Sequence, residues 1–227
     1  MGIHVFRSAG DLGDSFVLAP ERYDPRRVVE GASKRRIDDL VDILTENVTA
    51  QSFPAGRAVL ILDTTHAYEG FVVLRHDPVM PEAIGSTKRR ILPGDVIISR
   101  LRPYLRQVAY LDEDLFHAVP AGNEVCASTE FFVIRGREGF DSAALVPFLL
   151  SDAVQAALAA GQEGGHHPRF SKDLLGSIRV ADCVVSDARE TARRVRELAS
   201  GLRNSLHGCR ALVVSVQEKS NRDLTTP

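Results

Sequence analysis

The stretch GDVIISRLRPYLR, residues Gly94–Arg106, joins an apolar strand pattern to regularly spaced arginines. Val96–Ile98 is a β-branched run that predicts a strand. Arg100, Arg102 and Arg106 follow it at even spacing. Because side chains alternate between the two faces of a strand, we expect Arg100 and Arg102 to share one face if the strand continues that far.

The turn after this strand carries residue types that contact nucleic acids. Pro103 predicts the end of the strand ladder, and Tyr104 places a phenol beside the arginines. Guanidinium groups suit phosphate oxygens and base edges. The alternative is a solvated strand edge whose charges protect it from pairing, and the residue types alone leave both interpretations open.

Charge is distributed unevenly along the chain. The net charge is −2, yet Asp95 is the one acidic residue between positions 85 and 106. The basic residues of that segment are Lys88, Arg89, Arg90, Arg100, Arg102 and Arg106. A local basic patch on a nearly neutral chain predicts a specific docking face, with a chance cluster as the alternative.

The composition is that of a globular protein with one or two domains. The chain has 227 residues, of which 44% are hydrophobic and 26% charged. Cys126, Cys183 and Cys209 are far apart, so neither a disulfide framework nor a structural zinc site is indicated. No secretory signal or membrane-length apolar run is visible. We therefore expect a cytoplasmic protein with reduced thiols.

The middle of the chain predicts an α+β domain. Ser33 is expected to cap a helix with Ile37, Leu40, Val41 and Leu44 on one face. Strands are predicted at 57–63, 70–75, 96–101, 107–111, 130–135 and 177–181, and helices after Asp141 or Ser142, after Ser151 or Asp152, and after Ser171.

The last segment predicts a long helix with a heptad seam. The seam residues alternate at spacings of four and three: Ala188, Ala192, Val195, Ala199, Leu202, Leu206, Cys209, Val213 and Val216. Such a pattern is typical of a helix paired with another helix. The alternative is a single amphipathic helix packed on its own domain.

Common catalytic motifs do not occur in the sequence. There is no P-loop, no dinucleotide-binding glycine motif, no HExxH and no GxSxG. His166–His167 is interpreted as a polar loop and not a metal site. Asp112–Asp114 is an acidic cluster that leaves a metal-dependent nuclease as a minor alternative.

Three segments in a fixed order resemble the target-recognition domain of the type I restriction-modification specificity subunit. They are GDVIISRLRPYLRQVAYL, VCASTEFFVIRG and LVPFLLSDAVQAALAAGQEGGHHPRFSKDLLGSIRV. The family order is a Gly-Asp strand, a Leu-Arg-Pro-Tyr-Leu turn, a Ser-Thr-Glu-Phe strand, a Leu-rich helix pair and a Gly-x-x-x-Pro-Arg loop. The resemblance covers about Arg36 to Asp182. The family's Pro-Pro segment before its helix is replaced here by Ala181–Ser186.

The resemblance implies a strand-rich recognition domain followed by a long coiled-coil-type helix. The expected organisation is an irregular extension at 1–33, a DNA target-recognition domain at 34–183, a heptad helix at 187–219 and a flexible tail at 220–227. The family's subunit holds two recognition domains and two helices, so this chain is expected to be a half-subunit that forms a homodimer or pairs with a partner's helix.

The resemblance also implies a non-catalytic, sequence-specific DNA-binding subunit in antiviral defence. This chain would bind no cofactor or metal itself, and its partners would be an adenine methyltransferase that uses S-adenosylmethionine and a possible motor-nuclease subunit. The expected DNA contacts are Lys88, Arg89, Arg90, Ser99, Arg100, Arg102, Tyr104, Arg106, Ser128, Thr129, Glu130, His166, His167 and Arg169. Glu130 has the equal alternative of an ion pair with an arginine. A protein-interaction adaptor without DNA reading remains the alternative function.

Overall fold

The computed structural model describes residue 8 and residues 32–74, 77–117, 119, 124–164 and 167–225, without the side chains of 32, 33 and 221–225. The strands are β1 (Ala32–Arg36), β2 (Val41–Leu44), β3 (Asn47–Val48), β4 (Val59–Leu62), β5 (Ala67–Tyr68), β6 (Phe71–Val72), β7 (Lys88–Arg90), β8 (Val96–Ser99), β9 (Val108–Tyr110), β10 (Glu124–Ser128), β11 (Phe131–Gly136) and β12 (Arg179–Ala181). The α-helices are α1 (Ile37–Leu40), α2 (Glu113–His117), α3 (Val146–Leu149), α4 (Asp152–Ala160), α5 (Lys172–Ser177), α6 (Asp182–Ser186) and α7 (Ala188–Thr225). The predicted α+β class with a long C-terminal helix is confirmed.

A four-stranded antiparallel sheet lies at the centre of the domain. Its strand order is β2-β11-β8-β9, and a second sheet has the order β3-β7-β10-β4 with β10 and β4 parallel. Ile98 and Phe132 on one face of the central sheet pack against the helices. Ile97 and Val133 on the other face pack towards the second sheet. Because both faces are covered, β8 and β11 are apolar along most of their length and do not alternate.

The predicted helix after Ser33 is wrong beyond its first turn. Ser33 lies in β1, α1 is a single turn, and Val41 begins β2. In β2, Val41 pairs with Gly136 and Ile43 pairs with Ile134. The same apolar residues fit a helical face and an inward-facing strand, and the pairing with β11 satisfies the backbone of this segment.

The helices after residue 140 begin at the predicted polar residues. The carboxylate of Asp141 accepts from the Ala143 amide at 2.9 Å, and the Ser171 hydroxyl accepts from the Leu174 amide at 3.1 Å. Ser151 caps α4, which ends before Gly161. These caps satisfy amide groups that have no partner within a helix, so they specify where each helix begins.

Helix α7 continues past its predicted end. It runs from Ala188 to Thr225, although a flexible tail was expected from residue 220. Residues 211–225 contain no glycine or proline, so nothing in that stretch breaks the helical hydrogen bonds. The expected irregular extension at 1–33 lies outside the described residues, except for Ser8 and the start of β1.

No single helix among the described residues is long and apolar enough to cross a membrane. By length and composition alone, one bent pair of helices, Ser142–Leu149 and Asp152–Ala160, is apolar enough to span a membrane.

Candidate nucleic-acid interface

The Arg100–Arg106 turn has a strained backbone that follows directly from β8. Arg102 and Arg106 both have left-handed conformations, with φ of 45° and 49°. Pro103–Leu105 forms a 3-10 turn between them. The third described non-glycine residue with positive φ, Glu69, donates its amide to the Arg106 carbonyl at 3.3 Å. Positive φ costs about 1–3 kcal/mol at such residues, and it concentrates at functional sites.

The expected common strand face for Arg100 and Arg102 is not formed. Strand β8 ends at Ser99, and the left-handed turn at Arg102 replaces the alternating geometry. Proline lacks the amide hydrogen that the ladder needs, and its ring restricts the residue before it. The turn therefore projects from the end of the central sheet and does not continue it.

Arg100 and Arg102 are the two arginines of this turn whose guanidinium groups have no hydrogen-bond partner within the described ranges. The guanidinium of Arg100 lies over the Phe132 ring, 5.2 Å from its centroid, and its Nε is buried without a partner in the described part of the chain. Arg102 is exposed. Tyr104 is 70% exposed. A stacked guanidinium and an exposed one beside a phenol can bind anions or base edges with little rearrangement.

Arg106 has a different role. Its Nη1 donates to the Leu150 carbonyl at 2.7 Å, and its Nη2 pairs with Asp152 at the start of α4. These contacts fix the turn against the helix pair. Arg106 was expected to contact DNA, but its guanidinium is engaged with Leu150 and Asp152 of the same chain.

Glu130 and Arg169 bring two of the predicted motifs together. Arg169 Nε donates to Glu130 Oε2 at 2.8 Å, and its Nη2 donates to Oε1 at 2.5 Å. The backbone of Arg169 also bridges that of Leu101. The Gly164–Arg169 loop is thereby held beside the arginine turn. Of the two interpretations for Glu130, the structure shows the ion pair with an arginine.

The ion pair shifts the titration of its carboxyl group. The hydrogen bonds from Arg169 lower the pKa of Glu130, and the positive charges of Arg169 and Arg100 lower it further, while partial burial opposes the shift. Burial lowers the pKa of Arg89, and repulsion by Arg100 adds to that effect. Arg169 is bonded to Glu130, and Arg89 and Arg100 add two further positive charges that act in the same region. The positive charges of these groups exceed the single negative charge of Glu130, which favours anions.

Several other predicted contacts point into the protein. Arg89 is 7% exposed, and it donates to Thr45 O and to Asn47 Oδ1. Ser99 is 3% exposed, and its hydroxyl bonds to the Leu101 backbone. Both residues were predicted as DNA contacts, and burial prevents direct contact with a duplex. The sequence did not indicate this burial. Polar residues at a strand end follow the same sequence pattern whether they bond to the neighbouring backbone or project into solvent.

The remaining predicted contacts lie at the edges of this surface. Lys88 bonds to Ser86, and Arg90 pairs with Glu46. The Ser128 hydroxyl accepts from the Glu130 amide at 3.2 Å in the tight turn between β10 and β11. Thr129 is half-buried in that turn, and His167 is exposed. His166 lies outside the described residues.

One surface element was missed by the sequence analysis. The hairpin of β5 and β6 places Tyr68 at its tip, where the side chain is 57% exposed. The hairpin is joined to the arginine turn because the Gly70 amide donates to the Val108 carbonyl at 2.7 Å, next to the bond from Glu69 to Arg106. The Glu69–Gly70 pair between two short apolar runs is a hairpin signal that would have located it.

The predicted helix seam divides into two parts. Ala192, Val195 and Ala199 are buried against the helical side of the domain. Cys209, Val213 and Val216 are exposed, and so is Leu212 beside them. Ala188, Leu202 and Leu206 are intermediate. The first half of the seam thus packs on its own domain, as in the alternative interpretation, while the second half presents an apolar face to the solvent.

The acidic cluster at Asp112 has a structural role. Both oxygens of Asp112 accept from Arg203 Nη2 at 2.7 Å, and Oδ1 caps α2 through the Leu115 amide. Over the described residues, no group of three or more histidine, cysteine, aspartate or glutamate side chains is arranged to hold a metal. The geometry therefore gives no support to the nuclease alternative.

No protein-family model matches the chain, and no curated protein matches its sequence. The fold does match solved structures. One is a chain from a study of complex assembly and conformational transition in a type I R-M system, with a TM-score of 0.54 and 22% identity over 86% of this chain and 47% of that chain. Another is the HsdS subunit from Thermoanaerobacter tengcongensis, with a TM-score of 0.54 and 21% identity over 87% of this chain and 48% of that chain. The chain spans about half the length of these structures, so the predicted resemblance to half of a specificity subunit is confirmed at the level of the fold.

Proposed function

We propose that this chain is a non-catalytic subunit that recognises a DNA sequence for a partner adenine methyltransferase. The observation that carries the proposal is the pair of guanidinium groups, Arg100 and Arg102, that have no hydrogen-bond partner among the described residues. They lie on a strained turn at the end of a sheet with excess positive charge. The fold shared with type I R-M subunits supports the same conclusion.

The proposed interface consists of three adjoining elements. The Arg100–Tyr104 turn supplies guanidinium groups and a phenol. The Gly164–Arg169 loop supplies His167, and the Ser128–Glu130 turn supplies small hydroxyls at the edge. Arg106, Glu130 and Arg169 hold these elements in place. Arg89 and Ser99 are left out of the interface because they are buried.

Chemistry in this proposal belongs to other subunits. The methyltransferase would bind S-adenosylmethionine as the methyl donor. A motor-nuclease subunit would cut unmethylated DNA in a cytoplasmic defence system. This chain would contribute only binding energy and orientation. Each bidentate contact to a correct base is worth about 1–3 kcal/mol of discrimination, so two reading arginines are enough for a strong sequence preference.

We also propose that the exposed half of α7 pairs with the same helix of a second copy. Leu212, Val213 and Val216 form a solvent-facing apolar strip on the last part of the helix. Paired helices bury such strips against each other. Two copies joined in this way would present two recognition domains, the number expected of the whole specificity subunit.

The test is DNA binding by the purified chain, alone and with its methyltransferase, as a function of salt. Two labelled duplexes serve as probes, one carrying the motif methylated in cells that hold the parent chain and one of random sequence. Each lost phosphate contact lowers the slope of log affinity against log salt by about 0.9, so we expect Arg102→Ala and Arg100→Ala to weaken binding and lower that slope. Arg194→Ala is the matched control, because Arg194 pairs with Glu190 on the exposed side of α7.

The proposal is wrong if Arg100→Ala and Arg102→Ala leave both affinity and slope unchanged. Arg106→Ala separates the two roles of the arginines, because Arg106 is engaged with Leu150 and Asp152. We expect it to lower the stability of the turn. An adaptor without DNA reading predicts normal assembly with the methyltransferase and no DNA preference in any variant.

A further inference from the structure

Arginines recur every seven residues along one flank of α7. Three of them contact the domain at separate places. Arg196 pairs with Asp141 before the helix pair, Arg203 Nη2 donates to both oxygens of Asp112 at 2.7 Å, and Arg210 Nη2 donates to the Leu74 carbonyl at 2.8 Å. Residues seven apart lie on the same side of a helix. We call Arg196, Arg203 and Arg210 the arginine ladder.

The ladder extends the attachment of the helix beyond its apolar contacts. The fully buried seam residues end at Ala199, and the ladder continues to Arg210. At about 1.5 Å per residue, this adds roughly 16 Å of fixed length. The middle contact is the most buried of the three side-chain contacts, because the Arg203 and Asp112 side chains are only 19% and 11% exposed. A charge-assisted pair with little water around it is directional as well as favourable.

The direction of this helix has a large geometric effect at its far end. From Ala199 to Thr225 the helix rises by roughly 39 Å. A tilt of about 10° about Ala199 would move its end by about 7 Å, which is close to two steps of 3.4 Å along a DNA strand. Apolar packing at Ala192–Ala199 alone would leave such a tilt weakly opposed, because apolar contacts are not directional.

We infer that Arg196, Arg203 and Arg210 are positioning residues that fix the direction of α7 relative to the recognition domain and thereby set the spacing between two DNA half-sites. The spacing part of this inference rests on the proposed function. The direction part does not, so it can be tested without DNA.

The direct test is a distance measurement between spin labels in the full-length protein. One label is placed on Val214→Cys, which is exposed and off the seam, and the other on Thr87→Cys in the second sheet's loop, with Cys183→Ser and Cys209→Ser removing the exposed thiols. Cys126 is buried, and burial raises the pKa of its thiol to about 12, so it stays unlabelled near neutral pH. The labelled protein is diluted with unlabelled protein, so that distances between labels on different copies do not contribute to the signal.

We expect a single narrow distance distribution in the parent protein and in Arg194→Ala, the control on the exposed side of the helix. Arg203→Ala should broaden the distribution towards longer distances, and Arg210→Ala should do so to a smaller degree. Arg210→Ala removes one hydrogen bond to the Leu74 carbonyl and leaves no buried carboxylate unpaired. It therefore provides the test if Arg203→Ala does not fold. Unchanged distributions in the folded ladder variants would overturn the inference.

The second measurement uses methylation of DNA duplexes whose half-sites are moved apart or together by one base pair. We expect Arg203→Ala to accept a wider range of spacings than the parent while reading the same bases. A merely structural role would lower methylation at every spacing equally, and that result would overturn the spacing part. If the parent complex shows no sequence preference, the proposed function is wrong. The distances between the spin labels still test whether the arginine ladder fixes the direction of α7.

Discussion

At the residue scale, arginines of the same turn have different environments. Arg106 is held by Leu150 and Asp152, while Arg100 lies over Phe132 with its Nε unpaired within the described ranges. The sequence predicted an exposed turn with a phenol, and Arg102 and Tyr104 of that turn are exposed. It did not distinguish the arginine that braces from those that project, because partners more than forty residues away in sequence decide that.

Glu130 provides a residue-scale prediction for the brace of the interface. We expect Glu130→Gln to lower the free energy of unfolding by about 1–2 kcal/mol at neutral pH, because a hydrogen-bonded charge is lost. Arg169 lowers the pKa of this carboxyl group below its unfolded value. The stabilisation is therefore complete above the unfolded pKa, near 4.5, and is lost as the pH falls through the folded pKa.

The measurement is urea unfolding of parent and variant at neutral and acidic pH. Glu163→Gln is the matched control, since Glu163 is exposed near the start of the same loop and is bonded to Arg169 through its backbone. We expect the difference between parent and Glu130→Gln to disappear in acid and the control to differ little at either pH. Equal effects of the two substitutions would show that the Glu130–Arg169 pair does not brace the loop.

At the element scale, the heptad pattern of α7 serves two different contacts. Ala192, Val195 and Ala199 pack on the domain, while Val213 and Val216 face solvent. Periodicity predicted the helix and its apolar side. It could not show what covers that side, because packing on the domain and pairing with a second helix require the same apolar residue types. The short segment at 37–44 shows the same ambiguity, since its apolar spacing suits a helix and a strand until β11 supplies the pairing.

The same type of substitution, valine to aspartate, should affect stability in the first half of the seam and self-association in the second half. Val195→Asp should lower the free energy of unfolding by about 3 kcal/mol or more, because it buries an unpaired charge. Val213→Asp should change that free energy by less than about 0.5 kcal/mol, yet reduce the mass in solution from two copies to one. Mass measurement by light scattering, together with urea unfolding, checks both effects.

Val214→Asp is the control for this pair of variants. Val214 is 53% exposed next to Val213 but lies off the seam, so the variant should keep the mass of the parent. If Val213→Asp also keeps the parent's mass, pairing through the exposed half of α7 is excluded.

At the scale of the whole molecule, one strand-rich domain is joined to one long helix. The order of the three sequence motifs indicated the family resemblance. In the fold, the bridge from Leu101 to Arg169 and the Glu130–Arg169 pair bring these motifs together at the end of the central sheet. The sequence could not predict the second sheet, because its strands β3, β7 and β10 are short and pair across long separations. The arginine ladder was equally hidden, since its partners Asp141, Asp112 and Leu74 come from three separate loops.

The central claim is that this chain selects the DNA sequence that a partner methyltransferase modifies. Its most direct test is sequencing of methylated adenines in cells that carry the parent chain, an Arg100→Ala/Arg102→Ala variant, the Arg194→Ala control, or no chain. We predict one methylated motif with the parent and the control, its loss without the chain, and its loss or relaxation at defined positions in the double variant. The same methylated motif in all four strains would contradict the claim.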